Sequence, residues 1–176
     1  MRDFVVRALS AGATSGWLEA GGRRFRCALG RGGLSWRKRE GDGTTPRGRW
    51  PIDEIRLRSD RRPVAWRGCQ TISVLPIRLA DGWCDAPADR NYNRPIRHPY
   101  DASAENLWRD DELYDVVGVL AHNRRPRIRG HGSAVFFHLR DPDGGPTAGC
   151  IAVSERDMRV ILAHCRRRNR IVITAN

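Results

Sequence analysis

The hydrophobic positions of this chain fall mostly in short alternating runs, the pattern of strands with one buried face. Phe25, Cys27 and Leu29 alternate with Arg24, Arg26 and Ala28. Trp17 to Ala20 meets this run at Gly21-Gly22, which predicts a hairpin over about 15–30. Further strands are predicted at Ile52 to Arg58, Thr71 to Leu79, Tyr114 to His122, Gly132 to Leu139 and Ile171 to Ile173. In the Gly132 run, Ala134, Phe136 and His138 share one face, and Val135, Phe137 and Leu139 share the other. One segment alone carries helical spacing. Ser154 caps it, Asp157 completes a capping box, and Met158, Ile161, Leu162 and Cys165 form its inner stripe. The arginines at 166–168 suit the negative end of that helix.

Two stretches lack periodicity. Arg37 to Trp50 is a polar loop whose glycines and proline exclude a regular element. Asp81 to Arg109 is rich in Pro, Asn, Asp and aromatic residues, and reads as a long ordered loop with at most a short helix. Structureless loops of this length in a compact domain usually serve function. The resulting fold class is mainly β with one C-terminal helix and long loops, in a single domain over residues 1–176.

Composition narrows the function. The chain has 176 residues, 40% hydrophobic and 30% charged, which describes a globular protein with its own core. No apolar run approaches the roughly 18 residues of a membrane-spanning helix. The net charge is +12, and only one of the 32 basic residues, Lys38, is a lysine. Guanidinium groups favour carboxylates and phosphates, as in an acidic wall polymer or a nucleic acid. The basic residues are scattered, however, and no RNA-binding aromatic signature accompanies them, so no nucleic acid partner is expected. Five cysteines (Cys27, Cys69, Cys84, Cys150 and Cys165) form no C-x-x-C pair, which argues against a zinc ribbon or thioredoxin-like site. Cys27 and Cys165 read as buried hydrophobes. The first ten residues contain no sustained apolar segment resembling a secretory signal.

Chemistry concentrates in the segment from His138 to Ala152. A thiolate is a strong nucleophile, and a nearby imidazole accepts its proton and returns it to a leaving amine. The Asp-Pro-Asp-Gly-Gly-Pro segment between them suits a chain reversal that brings His138 beside Cys150. Backbone amides of Gly149 and Cys150 are then candidate donors to a developing oxyanion. These residues point to acyl transfer through cysteine. His122-Asn123, Arg47 and the aromatic residues Trp83, Tyr92 and Trp108 are secondary candidates, each equally readable as structural.

Three segments carry a resemblance. Thr147-Ala-Gly-Cys-Ile, the preceding Ala-Val-Phe-Phe-His138, and Thr45-Pro-Arg-Gly-Arg-Trp50 resemble the L,D-transpeptidases with a YkuD-like catalytic domain, over roughly Leu29 to Ile173. The resemblance implies a β-sandwich-like domain with Cys150 as nucleophile, His138 as base and Gly149 in the oxyanion turn, and no metal or cofactor. It implies peptidoglycan stem peptides as substrate, acylation by carbapenems, and a place in the periplasm or cell envelope, with the cytoplasm as alternative. Thr147, Ala148, His131, Asn123 and Arg140 are the candidate substrate contacts, and His131 is an alternative base. Many family members carry a basic or amide residue where Ala152 stands here, and Arg129, Arg140 and Arg156 are candidates to replace it. The rival functions are an L,D-carboxypeptidase or other cysteine acyltransferase on the same scaffold, and a non-catalytic basic binding module.

Overall fold

Gly21 and Gly22 both adopt positive φ, 56° and 77°, which gives the two-residue turn the twist its flanking strands require. That turn joins β2 (Ser15–Ala20) to β3 (Arg23–Ala28), the hairpin expected from the alternation. In a computed structural model, which describes residues 3–62, 72–167 and 169–175, the hairpin is one part of a larger sheet. Cys69 and the start of the strand expected from Thr71 lie outside the described residues, as does Arg168. Val74–Pro76 is the strand described there (β7).

The other strands of the main sheet are β1 (Phe4–Ala8), β6 (Gly48–Leu57), β11 (Val116–Leu120), β12 (Phe136–Leu139), β13 (Ile151–Val153) and β14 (Arg170–Ala175). They are hydrogen-bonded in the order β11-β12-β13-β3-β2-β1-β14-β6-β7, and β11 also pairs with β6. The ladder therefore closes on itself. β6 makes closure possible by its length: Gly48 to Pro51 pair with β14, and Ile52 to Leu57 pair with β11. Its first residues were expected in the polar loop. Within that loop Thr45–Pro46 (β5) also pairs with Leu34–Ser35 (β4).

The enclosed core gathers Phe4, Val6, Leu18, Phe25, Ile55, Phe137 and Ile151. The helix α1 (Glu155–Ala163) contributes Met158, Ile161 and Leu162 to the same core. Ser154 caps it by accepting a hydrogen bond from the Asp157 N–H at 3.2 Å, and the Arg166 guanidinium donates to the carbonyls of Ala163 and Cys165 at the other end. Cys27 and Cys165 are both buried in this core.

β11 and β12 are buried on both faces, and the second face builds the site. Val117, Val119 and Phe136 meet Trp83, Leu107 and Tyr114 there, and Cys150 belongs to the same cluster. Trp83 comes from a small sheet of β8 (Asp81–Cys84), β9 (Pro95–Arg97) and β10 (Ala104–Asn106), in the order β10-β8-β9. The sequence predicted a loop with at most a short helix here. Strands of three or four residues interrupted by prolines are too short to show a period, and burial of Trp83 and Leu107 sets them instead. Trp83 and Tyr92 act as core anchors; the Trp83 indole N–H donates to Asn93 at 2.9 Å.

Candidate active site

Cys150 immediately precedes β13, which runs parallel to β12 with Phe137 opposite Ile151 and His138 opposite Ala152. Cys150 is thus level with Phe136, and His138 is two residues farther along the same face. The thiol is buried. It donates to the Ala134 carbonyl at 3.3 Å and accepts from the Phe136 N–H at 3.3 Å. Ala134 holds a left-handed φ of 49°, uncommon for alanine, and this ends β12 short of the strand expected from Gly132.

The nucleophile turn is held from two sides. The Cys150 carbonyl accepts from the Thr147 hydroxyl at 2.8 Å and from the Thr45 hydroxyl at 3.3 Å. Thr45 is fully buried and also accepts from the Gly30 N–H. The Thr45-Pro segment thereby ties the loop before β6 to the cysteine, across about a hundred residues of sequence. Gly149 sits at φ 133°, and a Cβ there would lie 2.8 Å from the Thr44 carbonyl oxygen. Only glycine fits so close an approach. Its N–H donates to Thr147 Oγ1 at 3.1 Å. In this structure the Gly149 amide serves the turn. The Cys150 N–H has no hydrogen-bond partner among the described residues.

The imidazole of His138 donates from Nδ1 to the Leu139 carbonyl at 2.8 Å, which fixes the tautomer and leaves Nε2 as the base. The Tyr114 ring meets it edge-on, with centroids 5.1 Å apart, and the Tyr114 hydroxyl donates to Glu105. Burial pulls His138 down to about 4, outweighing the Leu139 carbonyl, which favours the charged ring. Burial likewise pushes the Cys150 thiol up to about 12. The charge of Glu105 acts in the same direction, and the Phe136 N–H and Lys38 oppose it. Both shifts favour a neutral thiol and a neutral imidazole over an ion pair.

That state has a readable consequence. Alkylation of Cys150 by iodoacetamide, followed by peptide mass, is expected to rise about tenfold per pH unit across pH 6–9 without a plateau, as a thiol titrating near 12 requires. A plateau below pH 8 would instead reveal a thiolate–imidazolium pair.

Cys150 and His138 open onto a cavity of about 490 Å³ lined also by Thr147, Ala148 and Gly149. Its lining carries both signs of charge: Arg31, Lys38 and Arg109, with Glu40, Asp85, Glu105 and Asp141. Ala152 lines it too, directly across from His138. Arg129, Arg140 and Arg156 are not among the lining residues, so the cations in this cavity come from elsewhere in the chain. Arg140 borders a third cavity near the start of α1. His131 and Asn123 line a second cavity, where the Asn123 side chain donates to the carbonyls of Ile128 and Gly132 and closes its own loop. The structure thus brings together Cys150, His138, Gly149, Thr147 and Ala148, and separates His131, Asn123 and Arg140 from them.

Lys38, Thr45, Glu105, Arg109 and Tyr114 were not among the expected site residues. Lys38 carries a signal that sequence shows: it is the single lysine in an arginine-rich chain. It is 7% exposed, and its Nζ donates to Asp42 and to the Arg39 carbonyl. Burial raises the Asp42 carboxyl, but hydrogen bonds from Lys38, the Arg39 N–H and the Thr44 N–H outweigh it and hold the group below its usual range. A Cβ on Gly149 would stand 3.5 Å from Nζ, so the ammonium lies beside the nucleophile turn.

A buried thiol, an imidazole locked in one tautomer and an unpartnered amide around one cavity define a cysteine-nucleophile site on a closed β-sheet. The family model of the L,D-transpeptidase catalytic domain, YkuD, matches residues 8–173, and the chain belongs to that family. Its members are cysteine-dependent transpeptidases that act on peptidoglycan and are usually associated with the cell envelope. Comparison with curated proteins and with solved structures gives no match. Among the described residues no helix is long and apolar enough to cross a membrane.

Proposed function

We propose that this protein is a peptidoglycan L,D-transpeptidase of the cell envelope, working through a Cys150 thioester. The observation that carries this reading is the convergence of Cys150 and His138 on one cavity of mixed charge in a chain of this family. A stem peptide presents carboxylates and an ammonium together, and walls bearing Arg31 and Arg109 beside Glu40 and Glu105 complement both.

In the first half-reaction the thiol leaves the Ala134 carbonyl and gives its proton to His138 Nε2. The sulfur bonds to the carbonyl carbon at the L-centre of diaminopimelate. The Cys150 N–H and the nearby Lys38 ammonium stabilise the oxyanion. His138 then protonates the departing nitrogen of D-alanine, leaving a thioester. In the second half an acceptor amine attacks, His138 takes its proton, and the cross-link forms as the thiol is restored.

Lys38→Met tests the charge beside the turn. Acyl-enzyme formation is expected to slow by on the order of 10²-fold, as for loss of one oxyanion-stabilising group. Because this strands Asp42, Lys38→Met combined with Asp42→Asn separates charge from folding. A double variant with native melting temperature and full activity would exclude Lys38 from oxyanion stabilisation.

The reaction itself is tested by incubating the protein with disaccharide-tetrapeptides and weighing the products. Cysteine-dependent dimers lacking one D-alanine are expected. Loss of D-alanine without dimers would identify an L,D-carboxypeptidase, and no cysteine-dependent product would overturn the reading.

A further inference from the structure

Lys38 lines two cavities, and the second, of about 600 Å³, has a different character from the first. Arg37, Arg39, Arg47, Arg125 and His131 border it, and no carboxylate does. Elsewhere this chain pairs its arginines: Arg49 with Asp3, Arg56 with Glu54, Arg58 with Asp60, Arg124 with Asp53. Among the described residues, Arg37, Arg39, Arg47 and Arg125 have no such partner. Four uncompensated guanidiniums around one concavity make a focused positive field.

The same cavity holds a displayed aromatic face. Trp36 is 71% exposed, and the Arg47 guanidinium lies 4.4 Å from its ring centroid. Deeper in, Trp50 donates to the Pro46 carbonyl and meets His122 edge-on at 4.7 Å. His122 is 8% exposed; its Nε2 bonds the His131 carbonyl, and its Nδ1 has no partner. Arg47 Nε is likewise buried without a partner. The cavity thus offers an indole and forks for an anion.

We infer that this cavity binds an anionic saccharide, with a pyranose ring against Trp36 and its carboxylate or phosphate among Arg37, Arg39, Arg47 and Arg125. The apolar face of a sugar ring packs on an indole, and guanidinium takes either acid bidentately. A single-stranded nucleic acid site differs in presenting successive stacking platforms to successive bases; here Trp36 is the one strongly exposed aromatic ring among the described residues. Lys38 borders both cavities, so this one adjoins the cysteine cavity. The inference goes beyond the acyl-transfer reading and uses none of its steps.

The test is binding, measured by tryptophan fluorescence and calorimetry with Cys150→Ala protein so that no turnover intervenes. The probes are an oligouronate, a phosphodiester-linked sugar polymer, a neutral chito-oligosaccharide and a single-stranded DNA oligonucleotide. At least one anionic saccharide is expected to bind, and which one binds separates carboxylate from phosphate as the anion. The neutral oligomer is expected to bind at least about tenfold more weakly, and Trp36→Ala and the pair Arg47→Gln with Arg125→Gln to weaken binding at least about tenfold, with unchanged melting temperature. Absence of binding by both anionic saccharides, unchanged affinity in the variants, or equal affinity for the oligonucleotide would overturn the inference. Since the readout needs no thioester, failure of the acyl-transfer reading leaves this result interpretable.

Discussion

Cys150→Ala is expected to abolish product formation and carbapenem acylation while the protein stays folded. Alanine cannot form a thioester, and no neighbouring group substitutes: Cys84, also a buried thiol, sits on β8 and does not line the cysteine cavity. The structural cost is small, because the change removes one sulfur and leaves the Phe136 N–H without its partner. An unsatisfied buried donor costs about 1–3 kcal/mol, and a weak N–H to sulfur bond belongs at the low end. Thermal melting beside the activity assay separates the two effects. A variant that keeps full turnover would exclude Cys150 as the nucleophile.

His138→Gln is expected to reduce kcat/KM for acyl-enzyme formation by about 10²–10⁴-fold, the usual contribution of a positioned general base. Its pH behaviour is the sharper signature. Burial holds the folded imidazole at about 4, so the wild-type acid limb is expected near pH 4 rather than near 6.5. The same shift sets a stability term of defined sign. Between pH 6.5 and 4 the unfolded chain binds a proton that the folded protein refuses, so stability falls as pH falls through that window. The loss is about 3 kcal/mol for His138 alone, and His122, also pulled down chiefly by burial, adds in the same direction. His138→Gln is expected to flatten part of this acid destabilisation in denaturant titrations. Unchanged pH dependence of stability in the variant would contradict a buried neutral imidazole.

Legibility in the sequence tracked the range of the interactions involved. The hairpin at Gly21-Gly22, the capped helix after Ser154 and the two faces of the Phe136–Leu139 strand all follow from local periodicity and turn chemistry. Cys150, His138 and Thr147 lie within a dozen residues of one another, and their shared cavity follows from one parallel pairing. The rest depends on distant segments. β1 alternates buried and less buried positions from Phe4 to Ala8, but five residues at a chain start gain their strand identity from β2 and β14. The cations of the cysteine cavity come from Arg31, Lys38 and Arg109, which chain order does not place near residue 150. Sequence proximity instead favoured Arg140, which borders another cavity. Lys38 stood out in composition, yet its burial depends on the loop from Arg37 to Thr45 folding back over Gly149. The hydrogen bond from the Gly149 amide to the Thr147 hydroxyl shows only in three dimensions.

The central claim is a covalent thioester on Cys150, and intact-protein mass after brief exposure to a tetrapeptide donor without acceptor tests it most directly. The account predicts a mass gain equal to the donor less D-alanine, located at Cys150 by peptide mapping and absent from Cys150→Ala. Turnover of the donor with no adduct on the wild type after rapid acid quench, or the same adduct on the alanine variant, would contradict it.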